Sequence, residues 1–150
     1  MDDVDRKILA ELQLDGRLTI TELAERVQLS VSPTHRRLRE LERNGAIQSY
    51  RAVVNPEALG LNFEALVFVT MGEEDRATLL AFEEAVARIP NVRLAQRLFG
   101  DPDYLLRIVT TDLAAYARLQ DETLSSLPGM QRLTSTMVMK QVVDDRPLPS

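Results

Sequence analysis

The spacing of the apolar residues changes once along the chain, and this change divides it into two parts that must fold differently. In the first part apolar residues recur every three or four positions, as in amphipathic helices. After Phe63, short β-prone runs alternate with helix-prone runs. Asn55-Pro56 and Leu59-Gly60 lie at the change and mark a hinge. We therefore predict two domains, residues 1–60 and residues 61–150.

Signals for helix ends predict three helices in the first domain. Asp2 or Asp3 can cap the first helix, which should end before Asp15-Gly16. Thr19 and Glu22 have the spacing of a capping box at the start of the second helix.

The third predicted helix follows a brief connection. Ser32 can cap it, and Pro33 suits its first turn, where a missing N–H costs little. Asn44-Gly45 is a good signal for its C-terminal end. The segment 47–54 that follows is short and β-prone, and it predicts a small hairpin or strand.

The second domain is predicted to alternate strands with helices. The strand-like runs are 63–71, 92–99, 104–111 and 130–143, and the helix-like runs are 76–89 and 112–127. The order β-α-β-β-α-β is the ferredoxin-like arrangement, so the chain as a whole is predicted to be α+β. The tail 144–150 is predicted to be a loosely held extension.

The third predicted helix carries a basic stripe opposite its core-facing side. Each residue of a helix advances by about 100°, which places Leu38 with the core and Arg36, Arg39 and Arg43 on the opposite face. Ser32 begins this stripe. Glu40 lies beside it and Glu42 lies towards the buried side, and we expect neither carboxylate to neutralise it.

A basic helix of this kind suits duplex DNA. An α-helix fits the major groove, and arginine can donate two hydrogen bonds to a guanine edge or a phosphate. On the stripe alone, a solvated basic face paired with Glu40 or Glu42 is the favoured alternative. The capped short helix, the tight turn and the capped basic helix together favour a helix-turn-helix.

Composition excludes several classes of site. The chain has no cysteine and one histidine, His35, which argues against disulfides, thiolate metal sites, a cysteine nucleophile and a histidine zinc site. The formal net charge is −5, but the acidic excess lies mainly in the second half, so it does not oppose DNA binding by the first. We predict no cofactor and no metal.

Many short matches in register resemble the Lrp/AsnC (feast/famine) family of regulators over nearly the whole chain. The matches are Asp5-Arg6-Lys7-Ile8-Leu9, Asp15-Gly16-Arg17, Glu22-Leu23-Ala24-Glu25-Arg26-Val27, Leu29-Ser30, Arg36-Arg37, Gly45-Ala46-Ile47, Tyr50-Arg51-Ala52, Gly100-Asp101-Pro102-Asp103-Tyr104-Leu105-Leu106 and Leu127-Pro128-Gly129. The resemblance implies an N-terminal winged helix-turn-helix and a C-terminal ferredoxin-like domain that dimerises and senses small molecules. Members of the family bind amino acids or related metabolites and often assemble as octamers built from dimers.

The resemblance also implies two sets of site residues. The set expected to face DNA is Ser30, Ser32, Pro33, Thr34, Arg36, Arg37 and Arg39, to which the stripe adds Arg43. His35 is a further candidate, although an exposed or partly packed histidine without a DNA contact is equally consistent with its position.

The set expected to line an effector site between subunits is Gly100, Asp101, Asp103, Tyr104, Thr134, Ser135 and Thr136. For Asp101 and Asp103, an Asx-type turn is as good an interpretation as a site for an amino group. For Thr134 and Thr136, a polar strand edge is the alternative.

The strands of the second domain also predict a dimer. In the run 63–71, Ala65, Val67 and Val69 share one face while Leu66 and Phe68 share the other, so both faces of the sheet are apolar. A partner sheet would cover the second face in a symmetric pair. A monomer whose two domains fold onto each other is the alternative.

These observations predict a sequence-specific transcription regulator that binds double-stranded DNA and responds to an amino acid or a related metabolite. The alternative is an architectural DNA-binding protein that ignores metabolites. An enzyme on the ferredoxin-like fold is disfavoured, because no catalytic cluster of cysteine, histidine or metal ligands is present. The acidic start and the lack of a long apolar stretch predict a cytoplasmic protein without a membrane span.

Overall fold

The chain forms two compact units in the computed structural model, which describes residues 1–149. The first unit comprises Met1–Val53 together with the C-terminal segment from Val142 onward, and the second comprises Val54–Gln141. The first unit therefore ends seven residues before the boundary set at residue 60, and it takes in the tail. Ser150, the end of the predicted second domain and tail, lies outside the described residues.

The first unit contains the three expected helices, α1 (Asp3–Leu14), α2 (Ile20–Val27) and α3 (Val31–Arg43). Asp2 caps α1 in a capping box with Asp5. Thr19 caps α2 in the same way with Glu22, as the spacing of the two residues predicts.

Helix α3 begins one residue before the predicted cap. Ser30 occupies the N-cap position with an extended backbone, its side chain makes no capping hydrogen bond to any described residue, and Pro33 lies in the first turn. The prediction that Ser32 caps this helix is therefore wrong. The helix starts earlier because Thr34 is buried and both its N–H and its hydroxyl donate to the carbonyl oxygen of Ser30.

The segment after α3 contains no strand between residues 44 and 55 of the described chain, so the strand or hairpin predicted for 47–54 is wrong. A β-prone run needs a partner strand to form a ladder, and none is adjacent. Its residues are held by side chains instead: the Tyr50 hydroxyl donates to Glu42 over 3.0 Å, and Arg51 pairs with Asp145 at 3.5 Å.

The tail is fixed to α1 and does not form a loose extension. Leu148 donates its N–H to the Gln13 side-chain oxygen over 2.7 Å and accepts from the Gln13 amide nitrogen over 3.3 Å. This reciprocal amide pairing could not be read from the sequence, because the two residues are far apart in the chain.

The second unit is a four-stranded antiparallel sheet with helices on one face. The strands are β1 (Phe63–Met71), β2 (Val92–Arg97), β3 (Tyr104–Thr110) and β4 (Met130–Met137), in the order β2-β3-β1-β4. The helices are α4 (Arg76–Ala87) and α5 (Leu113–Glu122), with 3-10 turns at Pro56–Leu59 and Leu124–Ser126. The ferredoxin-like order is confirmed; β4 and α5 end earlier than predicted.

The two faces of the sheet are both apolar, as the alternation in β1 predicts. Ala65, Val67 and Val69 are buried on the helix side, where they join Phe82 of α4 in the core. Leu66 and Phe68 lie on the opposite face and are half-buried in the single chain.

Candidate nucleic-acid interface and ligand cavities

The exposed face of α3 brings together the basic stripe that the sequence predicts. Ser32, Arg36, Arg39 and Arg43 are all exposed. Within residues 1–149 Arg36 has no acidic partner, and the Arg39 guanidinium lies 3.9 Å from Glu42. A helix with this face can meet the groove of a duplex because its other side is anchored in the core of the unit.

The stripe is partly neutralised, contrary to our expectation. Arg43 donates to Glu40 from Nε over 3.0 Å and from Nη2 over 2.7 Å, so the expectation that Glu40 leaves the stripe unpaired is wrong. The two residues are one turn apart, close enough for their side chains to meet. Because the pair is exposed, it stabilises the helix little, and a phosphate can displace the carboxylate.

Thr34 is fully buried, so its side chain cannot face DNA as the resemblance implies. The position of Thr34 near Leu38 on the helical wheel already indicates this, since both residues point to the core side of α3. Ser30 and His35 are exposed and Pro33 is half-buried at the same end of the helix.

Arg37 lies on the flank of α3 and is bound to the start of α1. Its Nη1 atom lies 2.8 Å from the Asp2 carboxylate and 2.8 Å from the Asp5 carboxylate. The two carboxylates raise the pKa of Arg37, and the Asp5 N–H and the Arg37 guanidinium lower the pKa of Asp2. We call Asp2, Asp5 and Arg37 the α1–α3 ion cluster. It binds the Arg37 guanidinium within the unit, which corrects the expectation that Arg37 faces DNA.

The β2–β3 turn borders a cavity of about 480 Å³, which we call the loop cavity. Three of the predicted effector residues, Gly100, Asp101 and Asp103, line it. Thr70, Glu74, Gln131 and Arg132 complete the lining. The cavity thus offers carboxylates and one guanidinium, which suit the charged groups of a small polar molecule.

Asp103 has a structural role in this turn as well. Its carboxylate accepts the Met71 N–H over 2.7 Å, and its own N–H donates to the Val69 carbonyl oxygen over 2.9 Å. These bonds hold the turn, which contains a cis Asp101–Pro102 peptide, against the end of β1. The Asp103 carboxylate thus bonds to a residue of β1 and not to the backbone two residues on, as an Asx-type turn would require.

Tyr104 is buried and does not line the loop cavity, which corrects its assignment. Its hydroxyl donates to Glu83 of α4 over 2.8 Å. Burial raises the pKa of Tyr104, so the phenol stays neutral.

The three predicted residues of β4 do not share a site within one chain. Thr134 and Thr136 pair with Phe68 and Leu66 and lie on the open face of the sheet. Ser135 lies on the helix side, where its hydroxyl is hydrogen-bonded to the Tyr116 hydroxyl and to Gln120. Alternation along a strand sends neighbouring side chains to opposite faces, so a run of three cannot line one pocket.

Sequence analysis missed one cluster of charged residues, formed by Glu83, Arg97 and Tyr104. Glu83 accepts hydrogen bonds from the Arg97 guanidinium and from Tyr104. These hydrogen bonds lower the pKa of Glu83. The three residues come from α4, β2 and β3, so no spacing in the sequence predicts that they meet.

The part of the chain that the structure describes contains no group of three or more histidine, cysteine, aspartate or glutamate residues that could hold a metal ion. Nor does any helix in that part combine the length and the apolar character needed to cross a bilayer.

Comparison with known proteins matches both units. The sequence model for a winged helix-turn-helix DNA-binding domain matches residues 1–48, and that for the Lrp/AsnC ligand binding domain matches residues 64–148. The chain belongs to the Lrp/AsnC family. As a member of that family it is a transcription regulator with a DNA-binding helix-turn-helix and a ligand-binding domain.

Relatives of the Lrp/AsnC family match nearly the whole chain. The leucine-responsive regulatory protein of Rhizobium meliloti is 40% identical over 96% of this chain and 92% of its own length. That of Escherichia coli strain K12 is 39% identical over 95% of this chain and 87% of its own length.

Solved structures of transcriptional regulators also match nearly the whole chain. A transcriptional regulator of Neisseria meningitidis, solved as a complex with L-Met, is 38% identical with a TM-score of 0.94, covering 99% of this chain and 96% of its own. An AsnC family transcriptional regulator of Agrobacterium tumefaciens is 33% identical with a TM-score of 0.94, covering 99% of this chain and 97% of its own.

Proposed function

We propose that this regulator reads a specific DNA site with the exposed face of α3 and that an amino acid or a closely related metabolite controls it. The proposal that α3 reads DNA rests on Arg36, whose guanidinium has no acidic partner in the described chain. Arg36 lies beside Arg39 on the exposed face of α3, and the opposite side of this helix packs into the core of the first unit. Arg36 is the base-reading candidate, whereas Arg39 and Arg43 are placed to contact phosphates.

The effector is proposed to bind in the loop cavity. Asp101 and Glu74 supply carboxylates for an ammonium group, and Arg132 supplies a guanidinium for a carboxylate. The relative of Neisseria meningitidis was solved as a complex with L-Met, which supports an amino acid as the ligand class.

We also propose that two chains pair through the open face of the sheet. Leu66, Phe68 and Leu105 lie together on that face by their register and are half-buried in a single chain. A second copy would bury them in a two-fold interface and would present two α3 helices to one DNA site. Dimers of this kind are the units from which an octamer could be built.

On this proposal the protein acts in the cytoplasm, requires no cofactor and catalyses no reaction. Regulation then depends only on the effector shifting the DNA affinity of the assembled chains.

The DNA-binding half is tested with a duplex that the protein selects from a randomised library. Arg36→Ala should weaken binding by about 5- to 150-fold, equivalent to about 1–3 kcal/mol, without lowering the melting temperature. Arg88→Ala, which removes an exposed arginine from the second unit, is the control and should leave affinity unchanged. Equal affinity of both variants and the wild type in a gel-shift assay would refute the reading helix.

The effector half is tested by thermal shift and gel shift with each of the free amino acids. A ligand that favours the native state raises the melting temperature and should change the DNA affinity of the wild type. Asp101→Asn should weaken both responses while the DNA affinity without ligand stays the same. DNA affinity that no amino acid changes would support the architectural alternative instead.

A further inference from the structure

The β2–β3 turn, residues 98–103, carries three of the residues that line the loop cavity: Gly100, Asp101 and Asp103. The rest of the described lining comes from β1, β4 and the segment before α4. A ligand that bridges Asp101 on the turn and Arg132 on β4 needs these two side chains at a fixed separation. The shape of the cavity therefore depends on what holds the turn in place.

Backbone hydrogen bonds close the turn at its base and hold it to β1. Arg97 and Tyr104 are partners in the β2–β3 ladder, and the Leu98 N–H donates to the Asp103 carbonyl oxygen over 2.7 Å. The N–H and the carboxylate of Asp103 both bind the backbone of β1. Strand β2 is at the edge of the described sheet, so its end of the turn needs contacts outside the ladder.

Glu83 supplies those contacts from α4. Its Oε1 atom accepts from Arg97 Nε over 2.7 Å, from Arg97 Nη2, and from the Tyr104 hydroxyl over 2.8 Å. One carboxylate oxygen thus ties the last residue of β2 and the first residue of β3 to the same point on α4. Phe82, the preceding residue of α4, packs on the Tyr104 ring with centroids 4.6 Å apart.

The stability of the unit alone does not explain this arrangement. Glu83 is 36% exposed and Arg97 is 49% exposed, and an ion pair at such exposure stabilises a fold little. The neighbouring pair of Glu84 and Arg88 lies within one helix and joins no second element. Glu83 differs because its partners flank the turn and because Tyr104, at 2% exposure, needs a partner for its buried hydroxyl.

We propose that Glu83 is a positioning residue for the effector, which fixes the β2–β3 turn in the loop cavity by holding Arg97 and Tyr104. This inference rests on the proposed function, in which the effector binds the loop cavity. Glu83 itself lies outside the described lining of that cavity and touches no ligand. It acts by ordering the turn before the ligand arrives, so that binding does not have to order it.

The test is calorimetric titration of the full chain with the free amino acid that binds the wild type most tightly. Glu83→Ala should weaken its binding about 10-fold, because apparent affinity falls with the fraction of chains whose turn is in place, here roughly one in ten. Glu84→Ala is the matched control. It removes the exposed pair with Arg88 from the next position of α4 and should bind as the wild type does.

Two further variants test whether the hydrogen bonds are responsible. Glu83→Gln keeps an acceptor oxygen for Arg97 and Tyr104 and should recover most of the affinity. Tyr104→Phe removes the hydroxyl and should weaken binding on its own. The double variant of Tyr104→Phe and Glu83→Ala should lose less than the two single losses combined, since both act through the same bond.

Gel shifts with the selected duplex separate positioning from a general loss of structure. In Glu83→Ala the amino acid concentration at half response should rise about 10-fold, whereas the change in DNA affinity at saturation should equal that of the wild type. Damage to the fold would reduce the saturating response as well, and that result would overturn the positioning role.

Hydrogen exchange reports the turn directly. The Leu98 amide, which closes the base of the turn, should exchange faster in Glu83→Ala and regain its protection when the amino acid is saturating. The Val67 amide in the centre of β1 should exchange as in the wild type. Unchanged exchange at Leu98 would show that Glu83 does not hold the turn.

The titrations also distinguish this inference from the proposed function. If Asp101→Asn weakens binding and Glu83→Ala binds as the wild type does, the positioning role is overturned and the loop cavity stands. If Glu83→Ala weakens binding and Asp101→Asn does not, the ligand binds elsewhere and both are overturned. If no amino acid binds the wild type, the proposed effector is wrong and the positioning role falls with it.

Discussion

The DNA-binding unit and the ligand-binding unit differ in the size of their apolar cores. Among residues 1–149 the connected core of the first unit has four buried side chains, Ile8, Leu23, Val27 and Leu41, whereas that of the second has thirteen. Each fully buried large side chain contributes about 1.5–3 kcal/mol, so the first unit gains less from apolar burial. Its polar contacts include two capping boxes and the α1–α3 ion cluster.

The two units also differ in how function is separated from folding. The stripe of α3 lies on a solvent face, so its arginines can change without disturbing the core behind them. In the second unit the same side chain can do both jobs, because Asp103 lines the loop cavity and also accepts the Met71 N–H. On the proposed function, a substitution on the α3 stripe can therefore change DNA binding alone, whereas one at Asp103 changes the cavity and the fold together.

The largest expected effect comes from matched core deletions. Ile8→Ala and Ile108→Ala each remove a fully buried isoleucine and should each cost about 2–5 kcal/mol. Because the first unit has the smaller core, Ile8→Ala should abolish amide protection in α2 and with it DNA binding, whereas Ile108→Ala should leave β3 protected. Hydrogen exchange resolved by residue measures both. If the amides of α2 stay protected in Ile8→Ala, the smaller core does not make the first unit more sensitive to a core deletion.

Next in size is the loss of a cavity residue with a structural role. Asp103→Ala removes a charged acceptor from the Met71 N–H and should lower the free energy of unfolding of the second unit by about 1.5–3 kcal/mol. It should reduce the effector response more than the DNA affinity without ligand. Denaturant melts measure the loss of stability, and gel shifts measure the effector response and the DNA affinity. Arg36→Ala is the opposite case, because it should lower the DNA affinity and leave the stability unchanged. If Asp103→Ala impairs DNA affinity as strongly as Arg36→Ala does, the separation of roles is wrong.

A smaller effect is expected from helix caps in the two units. Thr19→Ala removes the cap of α2 and Asp112→Ala removes the cap of α5, each at a cost of about 1 kcal/mol. Loss of the cap should speed amide hydrogen exchange in α2 more than in α5, because α2 belongs to the unit with the smaller core. Equal opening of both helices would show that core size does not set their local stability.

The smallest effect concerns pH and the α1–α3 ion cluster. The pKa of Asp2 is lower in the folded chain than in the unfolded chain, so its contribution to stability is complete at higher pH and is lost as the pH falls below about 4. The wild type should therefore have a higher melting temperature than Asp2→Asn at pH 6, and the difference between the two melting temperatures should shrink on acidification. Arg37→Gln should lower the melting temperature at pH 6 and reduce the effect of Asp2→Asn without abolishing it, because the Asp5 N–H still binds the Asp2 carboxylate. A difference that is constant with pH would exclude this role.

Local signals in the sequence were enough for most of the fold. Capping residues placed the starts of α1 and α2, and the alternation in β1 correctly assigned both faces of the sheet. Such features depend on residues a few positions apart, whose geometry is fixed by the backbone. The segment 47–54 shows the limit, because a β-prone run becomes a strand only where another strand is available to pair with it.

The sequence by itself determined the family, the two-domain order and the basic face of α3. Only the tertiary structure decided which of the neighbouring arginines Arg36 and Arg37 of α3 is free. Arg36 remains available within the described chain, whereas Arg37 is held by Asp2 and Asp5 of another helix. It also decided that Glu83, Arg97 and Tyr104 meet at the base of the β2–β3 turn. Periodicity fixes the direction of a side chain, but its partners come from elements distant in the sequence, which packing alone brings within hydrogen-bonding distance.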